Sequence, residues 1–439
     1  MNRMRVPTLA LIVPLAFLNA SCAMFFPPKR LRAETPAAIV LRSGPGRLEA
    51  GAARADITPR GDILLGGFGI LRRSRGVHDP LWARALAVRI GSLTTVLVAV
   101  DLVGFHNHDV EDVRARLADL MPPDAVMVAA THTHSGPDTL GLWGLPPFCT
   151  GRDCEYLEHA KEGIAAAARA AVSALGPARL RWGRTQAPAM GVSRNIREPM
   201  LIDRTVTALA FERPDGAPVA TLVHFACHPE ILGRRNRLVS ADFAAALCGA
   251  IEREKGGGTA VFLNGALGGM VTGHEKVECF EEAERIGGDV ARAALEAIAG
   301  AGAPLEESEF VCVRQRISVP IQNWRYHLGN FFSLFGSRPF TRDGFTPSEV
   351  WGLRLGSAVL LTAPGEVLPR LGFELAERAG AADPFLLVGL GNDELGYVIH
   401  EEDFGRKLYS YERTVSAGPL LATLLRRTAA EVLEKLQGK

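Results

Sequence analysis

Imidazole can bind a metal or move a proton near neutral pH, so histidines in company are the first residues to weigh. His132 and His134 stand two apart in the segment His-Thr-His-Ser-Gly-Pro, residues 132–137. On an extended backbone that spacing projects both rings to one side. Further along, His228 opens His-Pro-Glu, Glu366 closes Pro-Gly-Glu, and Tyr397 follows Gly391-Asn392-Asp393. Each of these has a plain structural role open to it. Loop histidines accept and donate hydrogen bonds, a glutamate can favour a helix N-terminus, and a tyrosine can simply pack. Taken together they form a nitrogen and oxygen donor set of the sort zinc uses. A catalytic zinc keeps one position open for a water whose pKa it lowers toward neutrality. The HExxH helix of ordinary metalloproteases is absent, and so is any C-x-x-C pair that would suggest a thiolate cluster. His106, His108, His159 and His274 have no comparable company and are expected to be structural or on the surface.

The elements that would carry these residues are legible as apolar runs. Strands are expected over 95–100, 125–130, 219–225, 260–263, 357–361 and 385–388. Helices are expected over 157–175, 242–254, 281–298 and 419–436, the last with Leu420, Leu421, Leu424, Leu425, Val432 and Leu436 spaced to bury one face. This alternation argues for an α/β fold with largely buried strands. Five strands run straight into polar loops: to His132 and His134, to His228, to Asn264, to Glu366, and to Asn392 with Tyr397. Carboxyl ends of strands in such sheets share a crevice, so the five loops are expected to build one site.

The remaining features bound the class. With 49 basic and 48 acidic side chains the net charge is +1, which gives no reason to propose a nucleic-acid partner. Arg3 and Arg5, an apolar run over 7–18 and small residues at Ala20, Ser21 and Ala23 have the order of an export signal over residues 1–23. Cys22 suggests a lipoprotein site although Asn19 stands where an aliphatic residue is usual; cleavage after Ala23 and an uncleaved anchor are the alternatives. The protein is thus expected to be exported: periplasmic, secreted or lipid-anchored. Residues 24–48 are expected to be a linker, and 49–437 a single large domain. Cys149 and Cys154 lie near enough to bridge in an oxidising compartment, while Cys227, Cys248 and Cys312 sit in apolar runs and are expected to be buried thiols. The segment from Trp324 to Phe345 interleaves aromatics with Arg325, Arg338 and Arg342. It reads as a long loop over the core, or as a lid or membrane-surface contact for a lipid-like substrate.

At these residues the chain resembles the neutral (non-lysosomal) ceramidase family, specifically its N-terminal catalytic domain. The resemblance runs through ordered blocks: Ala55 to Pro59, Gly66-Gly67-Phe68, Gly76 to Asp79, Val100-Asp101-Leu102, His132 to Pro137, His228-Pro229, Ser240 to Phe243, Pro364 to Glu366, Asn392-Asp393 with Gly396-Tyr397-Val398, and Tyr411-Glu412. It implies mixed β-sheets with flanking helices, and zinc held by His132, His228, Glu366 and Tyr397. His134 would sit beside the metal and stabilise charge, with Arg194 and Tyr411 contacting the amide. The implied substrate is a small molecule or lipid carrying an acyl amide, of which ceramide is one. Two departures stand out. Where the family carries Gly-Asp-x-Ser-Pro, this chain has Gly268-Gly269-Met270-Val271-Thr272, so no serine nucleophile is available there. The chain is also expected to lack the family's immunoglobulin-like C-terminal domain. A catalytically inactive exported binding protein, or a zinc hydrolase of an ester or phosphoester, therefore remain alternatives.

Overall fold

In the computed structural model, residues 27–32, 35–273 and 277–438 are described. The export signal expected at residues 1–23 lies outside them, as does His274. Among the described residues three larger sheets, of six, four and five strands, organise the chain. Each is antiparallel except for one parallel pair. The pairs are Leu93–Val100 with Val126–Ala130, Pro218–Phe225 with Thr259–Asn264, and Ala358–Thr362 with Phe385–Val388. A parallel pair needs a crossover, usually a helix. Asn107–Arg116, Phe243–Glu254 and Pro369–Ala379 supply the three crossovers.

The sheets pack their inner faces into one core. Leu86, Leu97 and Met127 from the first meet Leu209, Leu222 and Leu263 from the second and Trp351, Leu360 and Leu386 from the third. Because side chains alternate along a strand, the neighbours of these residues face outward onto helices. Ala85, Val98 and Val128 pack on Val110 and Ile164. Val223 and Phe262 pack on Leu247, Ile286 and Val290. Val313 and Leu361 pack on Leu371, Leu425 and Val432. Both faces are buried, so these strands read as unbroken apolar runs, which is what made them legible. Each fully buried Leu or Val contributes about 1.5–3 kcal/mol.

The mixed sheets with flanking helices expected from the sequence are therefore present. Several long antiparallel strands had no sequence expectation, among them Thr205–Glu212, Phe310–Pro320 and Phe345–Leu355. Within the segment expected to be linker, Ile39–Arg42 pairs along Phe310–Pro320 as a sheet edge. The aromatic segment is not a single long loop: it opens with the helix Trp324–Phe331, started by Asn323, whose side chain accepts from Arg325 N. Cys149 and Cys154 are free, exposed thiols, and Cys227, Cys248 and Cys312 are buried as expected. Among the described residues no helix is long and apolar enough to cross a membrane.

Candidate metal centre

The carboxyl-terminal loops of the three parallel pairs are stitched to one another by two asparagines. Asn264 donates to Thr131 O at 3.0 Å and Cys227 O at 2.8 Å while accepting from Cys227 N, so it ties the two histidine loops together. Asn392, at a φ of 63° that asparagine tolerates better than most residues, accepts from Val128 N at 2.8 Å. Its own N–H returns a bond to Val128 O at 2.7 Å. Glu366 and Tyr397 are brought side by side by a short parallel pairing, Glu366–Val367 with Tyr397–Val398, in which the two residues are in direct register.

The rings are aimed by backbone carbonyls. His132 sits at a φ of 74°, a costly conformation for a residue with a Cβ, and its Nδ1 donates to Val103 O. His228 Nδ1 donates to Met270 O at 2.8 Å. With Nδ1 spent, each Nε2 points at the same carboxylate. Glu366 Oε2 lies 2.9 Å from His228 Nε2 and 3.6 Å from His132 Nε2. The Tyr397 phenol also bonds Glu366. His134 completes the group differently: its backbone N–H donates to Pro229 O at 3.0 Å, but its ring Nδ1 is buried without a hydrogen-bond partner. One ring nitrogen each from His132, His134 and His228 lie within 4.8 Å of one another, close enough to hold a metal ion. Phe68 packs edge-on to the His134 ring at 5.0 Å. Gly67 must be glycine here: its φ is +98°, and a Cβ would fall 2.4 Å from His134 Cγ.

Electrostatics follow from burial. Loss of solvent drives the His132 pKa down to about 4, although Glu366 opposes the shift, and drives His134 well below its ordinary value. For His228 burial also disfavours the charge, yet its bond to Glu366 outweighs it and raises the pKa. Burial pushes the Glu366 carboxyl up, but His132 and His228 prevail and hold it below the ordinary range. The raised His228 and the lowered Glu366 favour a positive charge on the imidazole that faces the carboxylate. A metal cation would supply it instead, and backbone carbonyls behind ligating imidazoles are the usual outer support of such sites. The residues present could hold a metal ion.

Two cavities adjoin the centre, both walled by Gly67, His134, Tyr397 and Tyr411. One is a slot of about 70 Å³ lined by Leu140, Leu142, Trp143, Tyr326 and Phe335. The other is a groove of about 260 Å³ lined by Arg194, Arg197, Glu230, Val271 and Glu412. Every site residue expected from the sequence is therefore on this centre or its rim. Arg194 lies on the strand Ser193–Asn195, opposite Val271, and Tyr411 stands half-exposed, its ring 6.0 Å from that of Tyr397.

Sequence reasoning missed the far end of the slot. His106, expected to be structural or on the surface, lines it, with Nδ1 at 2.9 Å from Arg338. Arg338 forms a buried two-pronged pair with Asp393 at 2.8 and 2.7 Å. Glu394 also lines the slot; burial, then the charge of Glu366, pushes its carboxyl well above the ordinary range. The run Asn392-Asp393-Glu394 carried the signal, because consecutive acids after an apolar strand must find partners if buried.

Comparison with known proteins gives the family and the fold. The model of the family described as neutral/alkaline non-lysosomal ceramidase, N-terminal, matches residues 48–274. The neutral ceramidase of Pseudomonas aeruginosa is 24% identical over 211 residues, which cover 44% of this chain and 32% of that relative. The matched stretch thus spans about a third of the relative's length. The crystal structure of neutral ceramidase from Pseudomonas aeruginosa superposes with a TM-score of 0.74 at 21% identity, over 89% of this chain and 75% of that one. A structure of ceramidase complexed with C2 gives the same TM-score at 20% identity and the same coverage. At such identities the superpositions show a shared fold.

Proposed function

The chain belongs to the neutral/alkaline non-lysosomal ceramidase family, and from that premise we propose that it is an exported zinc-dependent hydrolase of an N-acyl amide bond, acting on ceramide or a related lipid. Zinc would be held by His132, His228, Glu366 and Tyr397. The observation that carries this reading is the pair of carbonyl-anchored imidazoles, His132 on Val103 O and His228 on Met270 O, whose Nε2 atoms converge on Glu366. When bound, zinc supplies Lewis acidity for the acyl carbonyl and for a water.

The chain's own residues do the rest. His134, buried and with Nδ1 unpartnered, is placed to hold a proton at the cleavage point and to pass it to the departing amine nitrogen. Tyr411 and Arg194 on the groove side are placed to orient the amide and stabilise charge on its oxygen. In balance, the C–N bond breaks, a C–O bond forms from water, and the amine leaves with the proton that water gives up. Val271 lines the groove where the family pattern has serine, so the nucleophile is water. The same substitution favours, as the second reading, a binding protein that has lost catalysis.

Exposed aromatics near the slot support contact with a lipid surface. Phe148 and Phe332 stack edge-on at 5.6 Å, Phe331 packs on Phe332 at 5.1 Å, and Trp324 is half-exposed. Such patches mark interaction sites. Metal analysis of the purified protein, paired with fatty-acid release from an N-acyl sphingosine, tests the proposal. The expected result is bound zinc, activity lost on chelation and restored by zinc, and loss of both metal and activity in His132→Ala. A metal-replete protein that holds no zinc and is indifferent to His132→Ala would falsify it.

A further inference from the structure

The three clustered histidines are not aimed in the same way. His132 and His228 each spend Nδ1 on a backbone carbonyl, whereas His134 Nδ1 has no hydrogen-bond partner. Packing and backbone must therefore orient the His134 ring. Gly67 approaches so closely that a Cβ there would fall 2.4 Å from the ring Cγ, and Phe68 packs edge-on at 5.0 Å.

Behind these residues lies Arg72, only 4% exposed. Among the described residues its guanidinium meets no carboxylate. Its hydrogen bonds all end on backbone carbonyls: His134 O, Gly66 O at 2.6 Å, and Gly233 O and Asn236 O at 3.3 Å each. Asn236 in turn donates to Ser135 Oγ at 2.9 Å, so that side of the clamp also ends on the histidine loop. The Arg72 Cζ stands over the Phe68 ring, 5.0 Å from its centre, within cation–π range. Burial, and then the nearby charge of Arg237, draws the Arg72 pKa down to about 10, so the group stays charged at neutral pH. Burying a charge without a counter-ion is costly. An ammonium with three donors could not span these carbonyls, but the planar fork of a guanidinium can. His134 is thus gripped at both ends: its carbonyl directly, and its ring through Phe68.

We propose that Arg72 is a positioning residue for the reaction, holding His134 in place beside the metal ligands. Arg72 lines neither the slot nor the groove, so it acts through His134. The effect on turnover rests on the amide-hydrolase reading, in which His134 passes a proton to the departing nitrogen. His132 and His228 hang from Val103 O and Met270 O instead. Loss of Arg72 should therefore disturb the chemistry and leave metal binding intact.

The test is the kinetics of N-acyl sphingosine hydrolysis by the zinc-loaded protein, with zinc measured in the same samples. Arg72→Met is expected to lower kcat on the order of 100-fold, the effect of displacing a reacting group by about 1 Å. KM should stay within about twofold of the unsubstituted protein, with zinc content unchanged. Arg72→Lys keeps the charge but not the fork, and its kcat should fall between the two. Phe68→Leu keeps the hydrogen bonds of Arg72 and removes only the ring between it and His134. It should lower kcat about 10-fold, and it keeps the proposal testable if Arg72→Met does not fold. Undiminished kcat in any of the three variants overturns the proposal, as does a fall in kcat that tracks loss of zinc. Ring NMR signals of the histidines in zinc-free protein separate the two readings. If no amide is cleaved, but the His134 signals move in Arg72→Met or Phe68→Leu while those of His132 and His228 hold still, the hydrolase reading fails and the positioning assignment stands. If the His134 signals hold still, the positioning assignment fails.

Discussion

The slot and the groove share a wall at His134, Tyr397 and Tyr411 and are held in opposite ways. Behind the slot lie buried, two-pronged ion pairs: Arg338 with Asp393, whose side chains are 4% and 0% exposed, and Arg152 with Asp109. Around the groove the ties reach solvent, as in Arg406 with Glu198. A buried pair is indifferent to salt and unforgiving of change, whereas an exposed one is screened and replaceable. The slot is therefore the fixed half of the site and the groove the adaptable half. The metal centre lies at their boundary, where one substrate bond can face both.

The boundary offers the largest effect. Glu366→Gln removes the charge that both His228 Nε2 and His132 Nε2 face. Activity should fall on the order of 10³-fold or more, with zinc content falling in parallel by elemental analysis. Retained zinc with full activity would break the division into slot, centre and groove at its root.

Stability separates the two halves next. Arg338→Met strands Asp393 in the core with Ser348, Asn107 N and Glu394 N as its remaining partners. Leaving a buried charge unpaired costs about 3–5 kcal/mol, readable by urea unfolding. Arg406→Met breaks a pair whose side chains are 45% and 25% exposed, so its loss should be much smaller. Equal losses would mean that the groove is as rigid as the slot.

A backbone substitution then asks which histidines are ligands. Gly67→Ala forces a Cβ into His134 at a φ that alanine resists while leaving His132 and His228 on their carbonyls. If His134 handles protons, activity should drop about 10²-fold with zinc retained. Loss of zinc would instead make the three histidines the ligand set.

How much of this was legible depended on whether the signal was local. His132, His228, Glu366 and Tyr397 each follow an apolar strand buried on both faces, so run length and the abrupt polar ending marked them. The strands Phe310–Pro320 and Phe345–Leu355 mix polar and apolar residues without a clean period, since Arg314 turns inward to pair with Glu349, which also accepts from Arg114. Such pairing is a tertiary event that no window of sequence displays. Arg338 escaped for the same reason, its partner Asp393 lying 55 residues away, and Glu394 escaped because its Oε2 has no hydrogen-bond partner to betray it.

The smallest expected effect concerns protons at the boundary. In zinc-free protein the His228–Glu366 pair is ionic, with the histidine pKa raised and the carboxyl pKa lowered. A raised histidine stabilises the fold fully below its ordinary pKa of 6.5 and loses that contribution as pH climbs through the folded value. A lowered carboxyl stabilises above its ordinary 4.5 and loses its contribution as pH falls through the folded value. Zinc-free protein should therefore melt highest in the window between, with Tm declining on the alkaline side above about pH 6.5. Zinc requires both imidazoles unprotonated, so binding removes the alkaline decline and makes acid the condition that releases the metal. Thermal melts from pH 5 to 9 with and without zinc measure the difference, on the order of a few degrees for a chain of this size. An alkaline decline that persists unchanged in zinc-loaded protein would place the metal elsewhere than on His228, and would leave the slot and groove without their common centre.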